Sequence, residues 1–445
     1  MAKVLTFPKG GIHPPSRKTI NPEFINNIAM PGRVVIPLSQ HIGTPAELLV
    51  KVGDEVREDQ LIGKAAGFVS ANIHSPLSGT VEEIRSIYLP SGTKTDAVVI
   101  AVSSDMKKYS RRTRNDQWME RSDQELLSII NDRGIVGLGG ATFPTHVKLT
   151  LPRGKECSLF IVNAAECEPY LVNDFSLMLH KPAEILEGVQ IVRKILKPGK
   201  TVIGIEKDKI QAARQLEEKI RELGLDGIEI VLLKKKYPQG AEKNLIKAIT
   251  GKEVPSGKLP LEIGMINLNV STLFAIQEAV VFNKALTSRL ITVGGGAVAN
   301  PSVVQVTLGT PVGQILDECG GLKKPAVKYV MGGPMMGFSF HDPETPVIKG
   351  TSGILALTKE ETLNDRETPC IGCARCISAC PMGLVPTQLF KMVRAGAWNE
   401  ALSNGLLDCV ECGCCSWVCP ARIPLVQSFK AGKKLSRQFT AGKTS

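Results

Sequence analysis

Between residues 34 and 102 the apolar positions come in short runs, VVIPL, ELLVKVGD, QLIGKA, NIHSPLSGTVEEI and AVVIAV, separated by glycine, proline and aspartate turns. Runs of this length broken by turn formers predict strands, so the stretch reads as a small all-β module. A basic connector between Asp105 and Trp118 marks a boundary, and the period then changes. Ser122 and Glu125 form a capping box ahead of Leu126, Leu127, Ile129 and Ile130, which predicts a helix that ends at Gly134. Further on, the strand-like SLFIVN (158 to 163), TVIGIE (201 to 206) and IEIVLL (228 to 233) alternate with helix-like stretches at 183 to 196 and 208 to 223. The second of these carries Ile210, Ala213, Leu216, Ile220 and Leu223 along one face. This order predicts parallel βαβ units, whose ligands lie at the carboxyl ends of the strands. Those ends carry Asn163 to Pro169 (NAAECEP) and Tyr237 to Glu242 (YPQGAE), and the glycines of GIVGLGGATFPTHVKL before them permit the close backbone approach that a phosphate needs.

Composition adds bounds. The chain has 445 residues, 43% hydrophobic and 22% charged, enough for about three ordinary domains. The most apolar long window, Ile263 to Phe282, is interrupted by Asn267, Asn269, Gln277 and Glu278, so no membrane span is expected. MAKVLTFPKGGIHPP has no apolar signal region, and a reducing cytosol is the expected compartment. The net charge of +11 gathers at Lys107, Lys108, Arg111, Arg112 and Arg114, at Lys234 to Lys236, and at Lys430, Lys433, Lys434 and Arg437. Such runs read as solvated faces, or as docking sites for an acidic electron carrier, partner subunits or an anionic membrane. Nucleic acid is not expected, because aromatic residues are 5% of the chain and do not interleave with the basic ones.

The strongest chemical signal is near the C-terminus. Cys370, Cys373, Cys376 and Cys380-Pro381, then Cys409, Cys412, Cys415 and Cys419-Pro420, each read C-x2-C-x2-C-x3-C-P. This is the bacterial ferredoxin spacing, in which three thiolates wrap one cluster and the fourth reaches the other. It predicts two 4Fe-4S clusters with crossed ligation: Cys370, Cys373, Cys376 and Cys419 on one, Cys409, Cys412, Cys415 and Cys380 on the other. Zinc and disulfides are the competing readings. The frame passes over Cys414, and Cys157, Cys167 and Cys319 read as buried thiols. Residues 382 to 408 between the two motifs suit a helix or helical pair, with Leu389, Phe390, Met392, Val393, Trp398 and Leu402.

The motifs carry resemblances. VKVGDEV with IHSPLSGTV resembles the flattened barrel of lipoyl and biotinyl carrier domains, but the hairpin tip is Phe68-Val69-Ser70-Ala71, with no lysine to acylate, so a structural or docking module is expected. GLGGATFPTHVKL, NAAECEPY, YPQGAEKNL and NVSTL resemble, in order, the segments that hold FMN and NADH in the flavin subunit of respiratory complex I. Residues 289 to 321 with VKYVMGGPMMG resemble the β-grasp SLBB module, expected here to brace its neighbours rather than bind a ligand. With KGGIHPP and the double cysteine motif, the whole chain resembles the RnfC family, whose members belong to Rnf-type ion-translocating electron-transport complexes.

That resemblance implies a multidomain α/β architecture: an extension (1–33), a lipoyl-like β barrel-sandwich (34–104), a Rossmann-like parallel-sheet FMN/NADH domain (118–285), the SLBB module (286–340) and a mainly helical two-cluster ferredoxin domain (355–435). Carried over by position, Gly137, Gly139, Gly140, Lys148, Asn163, Asn269 and Thr272 would contact FMN. Glu166, Glu168, Tyr237, Gly240 and Glu242 would line the nicotinamide pocket, with Glu166 and Glu242 as the catalytic pair. Leu138 and Ala165 depart from the complex I pattern, which has arginine and aspartate there. The implied role is a peripheral NAD(H)-handling subunit on the cytoplasmic face of the membrane, working with membrane-embedded subunits and a ferredoxin-like subunit. The alternatives are a soluble flavin/iron-sulfur reductase of the cobalamin-reductase or proline-reductase accessory type, and a non-enzymatic polyferredoxin scaffold.

Overall fold

The computed structural model describes residues 4–103, 112–362 and 366–441. Lys107, Lys108 and Arg111 of the first basic run lie outside the described residues.

The alternating runs form a barrel-sandwich. Arg33–Pro37, Lys94–Val102, Gly79–Tyr88 and Glu55–Val56 make one four-stranded sheet, and Glu47–Leu48, Leu61–Lys64 and Ile73–His74 a smaller one. Period-two alternation sends Val34, Ile36, Val98 and Ile100 inward to meet Val56, Ile62, Ile73 and Val81. Each fully buried Val or Ile stabilises the sandwich by roughly 1.5–3 kcal/mol. Phe68 of the hairpin tip is exposed, but its second half is buried: Ser70 donates to the Thr44 carbonyl at 2.8 Å, and the Ala71 N–H donates to His41 Nε2 at 3.1 Å. Next to it, Lys349 Nζ donates to the carbonyls of Asn72 and Gly134, both at 2.7 Å. The tip is pinned against its neighbours.

The expected βαβ pattern gives a four-stranded parallel sheet in the order Ile228–Leu233, Lys200–Glu206, Leu159–Ala164, Met265–Asn269. Helices Pro182–Leu196, Ile210–Glu222 and Val270–Phe282 bury apolar faces with it, including Ile185, Val189, Leu216, Leu273 and Ile276. The capping box holds: Ser122 and Glu125 cap helix Asp123–Asp132 reciprocally.

A six-stranded sheet follows, ordered Ile25–Asn27, Ser302–Thr307, Ser288–Gly294, Gly353–Leu357, Lys328–Met331, Phe338–Phe340. Its first strand comes from the N-terminal extension and pairs in parallel with Ser302–Thr307. The extension is a strap. Leu5 bridges Leu233 at the edge of the parallel sheet, Ile12 bridges Tyr237, and the Gly11 N–H donates to the Ala379 carbonyl at 2.9 Å. Gly10 explains the glycines of KGGIHPP, because a Cβ there would lie 2.3 Å from the Cys380 carbonyl oxygen. The Lys234 to Lys236 run anchors this strap: Lys236 Nζ donates to the Phe7 carbonyl at 3.0 Å and sits over the Phe7 ring.

The C-terminal unit is helical, with Arg375–Ala379, Pro386–Arg394, Trp398–Ser403, Cys414–Trp417 and Leu425–Ala441 packed around Leu389, Ala401, Leu406, Leu425 and Phe429. Among the described residues no helix is long and apolar enough to cross a membrane.

Candidate functional site

The glycine loop is tied at one end and open at the other. The Gly137 N–H donates to the Phe143 carbonyl at 2.8 Å, and the Leu138 N–H to Thr272 Oγ1 at 2.9 Å. Gly139 rests against Asn269, whose Cβ would lie 2.9 Å from any Cβ placed at Gly139. Gly140 has φ +143°, and the space where a side chain would begin is open, so the loop leaves its backbone accessible to a ligand. Lys148 comes up from helix Thr145–Leu149 and meets Glu242 Oε1 at 2.5 Å, joining the loop to the second acidic turn. Asn163 Nδ2 donates to the Gly240 carbonyl at 2.8 Å, which joins the first turn to the second.

Glu166 is 7% exposed, unlike a solvated loop carboxylate. Its carboxylate accepts from the Asp174 N–H at 2.8 Å and the Phe175 N–H at 3.4 Å, in the first turn of helix Asn173–His180. Lys18 of the strap lies 3.8 Å from the same carboxylate and donates to the Glu166 carbonyl at 2.6 Å. Burial pushes the Glu166 carboxyl up to about 7. Asp174 also accepts from Asn269 Nδ2 at 2.7 Å and Ser271 Oγ at 2.6 Å, so one carboxylate fixes the asparagine beside the glycine loop.

Glu168 faces the other way. It accepts the Met335 and Met336 N–H groups at 3.1 and 3.0 Å, and lies 3.4 Å from the Tyr237 hydroxyl. Burial raises its carboxyl to about 7 as well. Sequence reasoning missed Lys18, Asp174 and the Met335-Met336 turn. KGGIHPP and MGGPMMG were visible as motifs, but nothing local to them names a carboxylate more than a hundred residues away.

Cys380, Cys409, Cys412 and Cys415 line one cavity together with Leu384, Leu389, Val426 and Phe429. Cys414 also lines it, buried, with its Sγ 4.0 Å from the Tyr237 carbonyl. Cys376 and Cys419 are buried in a hydrophobic cluster that also contains Cys415, while Cys370 and Cys373 are exposed. A thiol-only donor set in an apolar wall suits iron-sulfur chemistry, and the Glu411 N–H donates to Cys409 Sγ at 3.4 Å in the manner of a cluster-supporting amide. Of the isolated cysteines, Cys157 and Cys319 are buried, and Cys167 accepts the Gly240 N–H at 3.4 Å.

Turn and cavity meet at one residue. Tyr237, 2% exposed, donates its hydroxyl to the Cys412 carbonyl at 2.8 Å. The second acidic turn and the cavity lined by five cysteines are therefore neighbours across a single side chain.

Comparison with known proteins agrees with this arrangement. Residues 5–105 match the RnfC barrel sandwich hybrid domain, 130–278 the Nuo51 FMN-binding domain, 290–339 the SLBB domain and 369–423 the 4Fe-4S dicluster domain. The C subunit of a proton-translocating ferredoxin:NAD(+) oxidoreductase complex from Clostridium ljungdahlii is 43% identical over 433 residues, 96% of this chain and 94% of that protein. The C subunit of the Na(+)-translocating ferredoxin:NAD(+) oxidoreductase complex of Acetobacterium woodii is 40% identical over 96% of each chain. The C subunit of an ion-translocating oxidoreductase complex of Rhodobacter capsulatus is 41% identical, over 97% of this chain and 83% of that one. An NAD+-reducing [NiFe]-hydrogenase structure superposes with a TM-score of 0.51 at 17% identity, over 72% of this chain and 62% of that chain, a likeness of fold. By near-full-length identity at this level, the chain belongs to the C subunits of ion-translocating ferredoxin:NAD(+) oxidoreductase complexes.

Proposed function

We propose that this chain is the NAD(H)-handling subunit of such a complex, holding FMN above the glycine loop and two 4Fe-4S clusters in the cysteine-rich unit. The observation that carries the reading is Tyr237, whose hydroxyl reaches the Cys412 carbonyl from the turn that Asn163 ties to the first acidic turn and Glu242 ties to Lys148. When bound, FMN takes a hydride from NADH and gives up single electrons, which is the conversion that iron-sulfur clusters require.

The chain's own residues position and insulate. Gly140 leaves backbone room for a phosphate, with Gly137 and Gly139 shaping the loop and Lys148 supplying positive charge. Thr272 and Asn269 hold the loop against helix Val270–Phe282, and Asn163 ties the two turns. Glu242 pairs with Lys148 at the mouth of the cradle, where a dinucleotide would enter, and Glu166 is fixed from three sides by Lys18, Asp174 and Phe175. Gly240 keeps the turns close, since a Cβ there would lie 2.3 Å from the Ala165 carbonyl.

What supports the crossed assignment is that Cys380 lines the same cavity as Cys409, Cys412 and Cys415, a cavity that Cys414 lines as well. That cluster lies beside Tyr237 and is the inner one. The cluster of Cys370, Cys373, Cys376 and Cys419 is the outer one, and its exposed Cys370 and Cys373, flanked by exposed Ile371 and Arg375, form the face for a ferredoxin-like subunit. The protein sits on the cytoplasmic face, docked to membrane-embedded partners. The deciding experiment is anaerobic reconstitution with iron, sulfide and FMN followed by NADH titration. Bleaching of flavin and then cluster absorbance is expected; a folded, iron-loaded protein that binds no flavin would overturn the reading.

A further inference from the structure

The two cysteine loops follow the same backbone path and differ at both of their left-handed positions. In the first, Gly372 and Ala374 have φ of +70° and +57°; in the second, Glu411 and Gly413 have +56° and +77°. The left-handed conformation costs a non-glycine residue free energy, so Glu411 stands at the strained position that glycine fills in its counterpart. Unlike Ala374, which takes the same conformation in the first loop, Glu411 has a side chain that a partner can hold.

The holder is Lys433, from the C-terminal basic run. Its Nζ donates to Glu411 Oε1 at 2.8 Å and to the Cys409 carbonyl at 2.5 Å, and its side chain is only 14% exposed. The Glu411 N–H in turn donates to Cys409 Sγ. One ion pair thus fixes the loop, aims an amide at a thiol and puts a full positive charge on the backbone of that same cysteine. The first loop has no side chain at Gly372 with which to do this. Lys430, one turn earlier, is engaged elsewhere, with the Met336 carbonyl at 3.2 Å and the Phe338 ring.

We propose that the Glu411–Lys433 pair sets the reduction potential of the inner cluster apart from that of the outer one. This rests on the reading of the two four-cysteine sets given above. Reduction adds one electron, breaks no bond and leaves the Lys433 proton in place, so the cluster gains one negative charge. The ammonium favours that charge and the carboxylate opposes it. Because Lys433 lies between Glu411 and the Cys409 backbone, its removal exposes the inner cluster to an uncompensated carboxylate.

The test is an EPR-monitored dithionite titration of the anaerobically reconstituted full chain. Lys433→Met is expected to lower one of the two midpoints, Glu411→Gln to raise the same one, and the double variant to return it toward the wild-type value. Lys433→Arg should stay close to wild type. In every case the second midpoint should not move, and circular dichroism should be unchanged. Equal movement of both midpoints, shifts of the same sign in the two single variants, or no shift in an iron-complete Glu411→Gln protein would overturn the proposal. If Lys433→Met loses iron, Glu411→Gln and Lys433→Arg carry the test alone. Wild-type protein that cannot be loaded with two clusters would instead overturn the four-cysteine reading, a separate failure seen in the iron count.

Discussion

Tyr237 donates its hydroxyl to the backbone carbonyl of Cys412 at 2.8 Å, joining two units whose motifs are 175 residues apart. Both groups are shielded from water, so deleting the hydroxyl leaves the carbonyl unsatisfied at a cost of about 1–3 kcal/mol. Tyr237→Phe should lower the thermal midpoint by several degrees and slow NADH-driven bleaching of the clusters more than that of the flavin. Stopped-flow spectroscopy at the two wavelengths separates the steps, and equal slowing of both would show that Tyr237 acts on the flavin crevice as a whole.

Gly140 offers a test of the cradle. At φ +143° with open space ahead, a valine is strained and projects where the phosphate would lie. Gly140→Val should abolish FMN binding while leaving the iron content at the wild-type value, as read by acid release of flavin and iron assay. Flavin retained at full stoichiometry would place the phosphate elsewhere.

Glu166 predicts a pH dependence. Its carboxyl is faced by Lys18, Lys209 and Asp174, and burial lifts it to about 7 from an ordinary 4.5. Between those values the folded state holds the extra proton, so wild-type stability falls as pH rises from about 4.5 to 7, by up to roughly 3 kcal/mol. Glu166→Gln removes this dependence and should gain on wild type as pH rises through the window. Denaturant unfolding at pH 5 and 7.5 measures it, and a constant difference would contradict the burial. The same variant, and Glu242→Gln, should slow flavin reduction by NADH more than they weaken flavin retention.

Lys349 is 1% exposed and joins Asn72 of the barrel to Gly134 of the parallel-sheet unit. Lys349→Ala strands two buried carbonyls and opens a void, which should cost about 3 kcal/mol. Limited proteolysis should then cut first between the barrel and the rest of the chain; an unchanged cleavage pattern would mean that other contacts hold the barrel.

Cysteine wiring can be read from a double variant. Under crossed ligation Cys380→Ala with Cys412→Ala disables a single cluster and leaves the other EPR signal intact, whereas local ligation would damage both. Cys414→Ala should spare both clusters, since its thiol faces the Tyr237 carbonyl. Loss of both signals in the double variant, with circular dichroism unchanged, would exclude the crossed arrangement.

Much of this was legible along the chain because the signals are local. The capping box of Ser122 and Glu125, the βαβ alternation and the spacing of the cysteines all involve residues within a turn or a strand of one another. The basic runs were less legible. Composition suggests solvated faces, but Lys236 anchors the strap on Phe7, and Lys430 and Lys433 turn inward toward Met336 and Cys409. A charge run gives no sign of which of its members finds a carbonyl.

By itself, then, the sequence determined the fold class, a glycine-rich loop and two acidic turns at strand ends, and the eight thiols spaced as for two clusters. Periodicity and spacing are properties of a chain segment and survive without knowledge of its surroundings. Only the tertiary structure decided that the N-terminal extension is a strap through three units, that Glu166 is held by Lys18, and that Glu168 is bound by the backbone of Met335 and Met336. It also decided that Glu411 stands in a left-handed conformation and pairs with Lys433. Hydrogen bonds to backbone groups and close packing between distant segments depend on where those segments end up in space, and backbone amides are alike in every residue but proline, so no residue identity announces them.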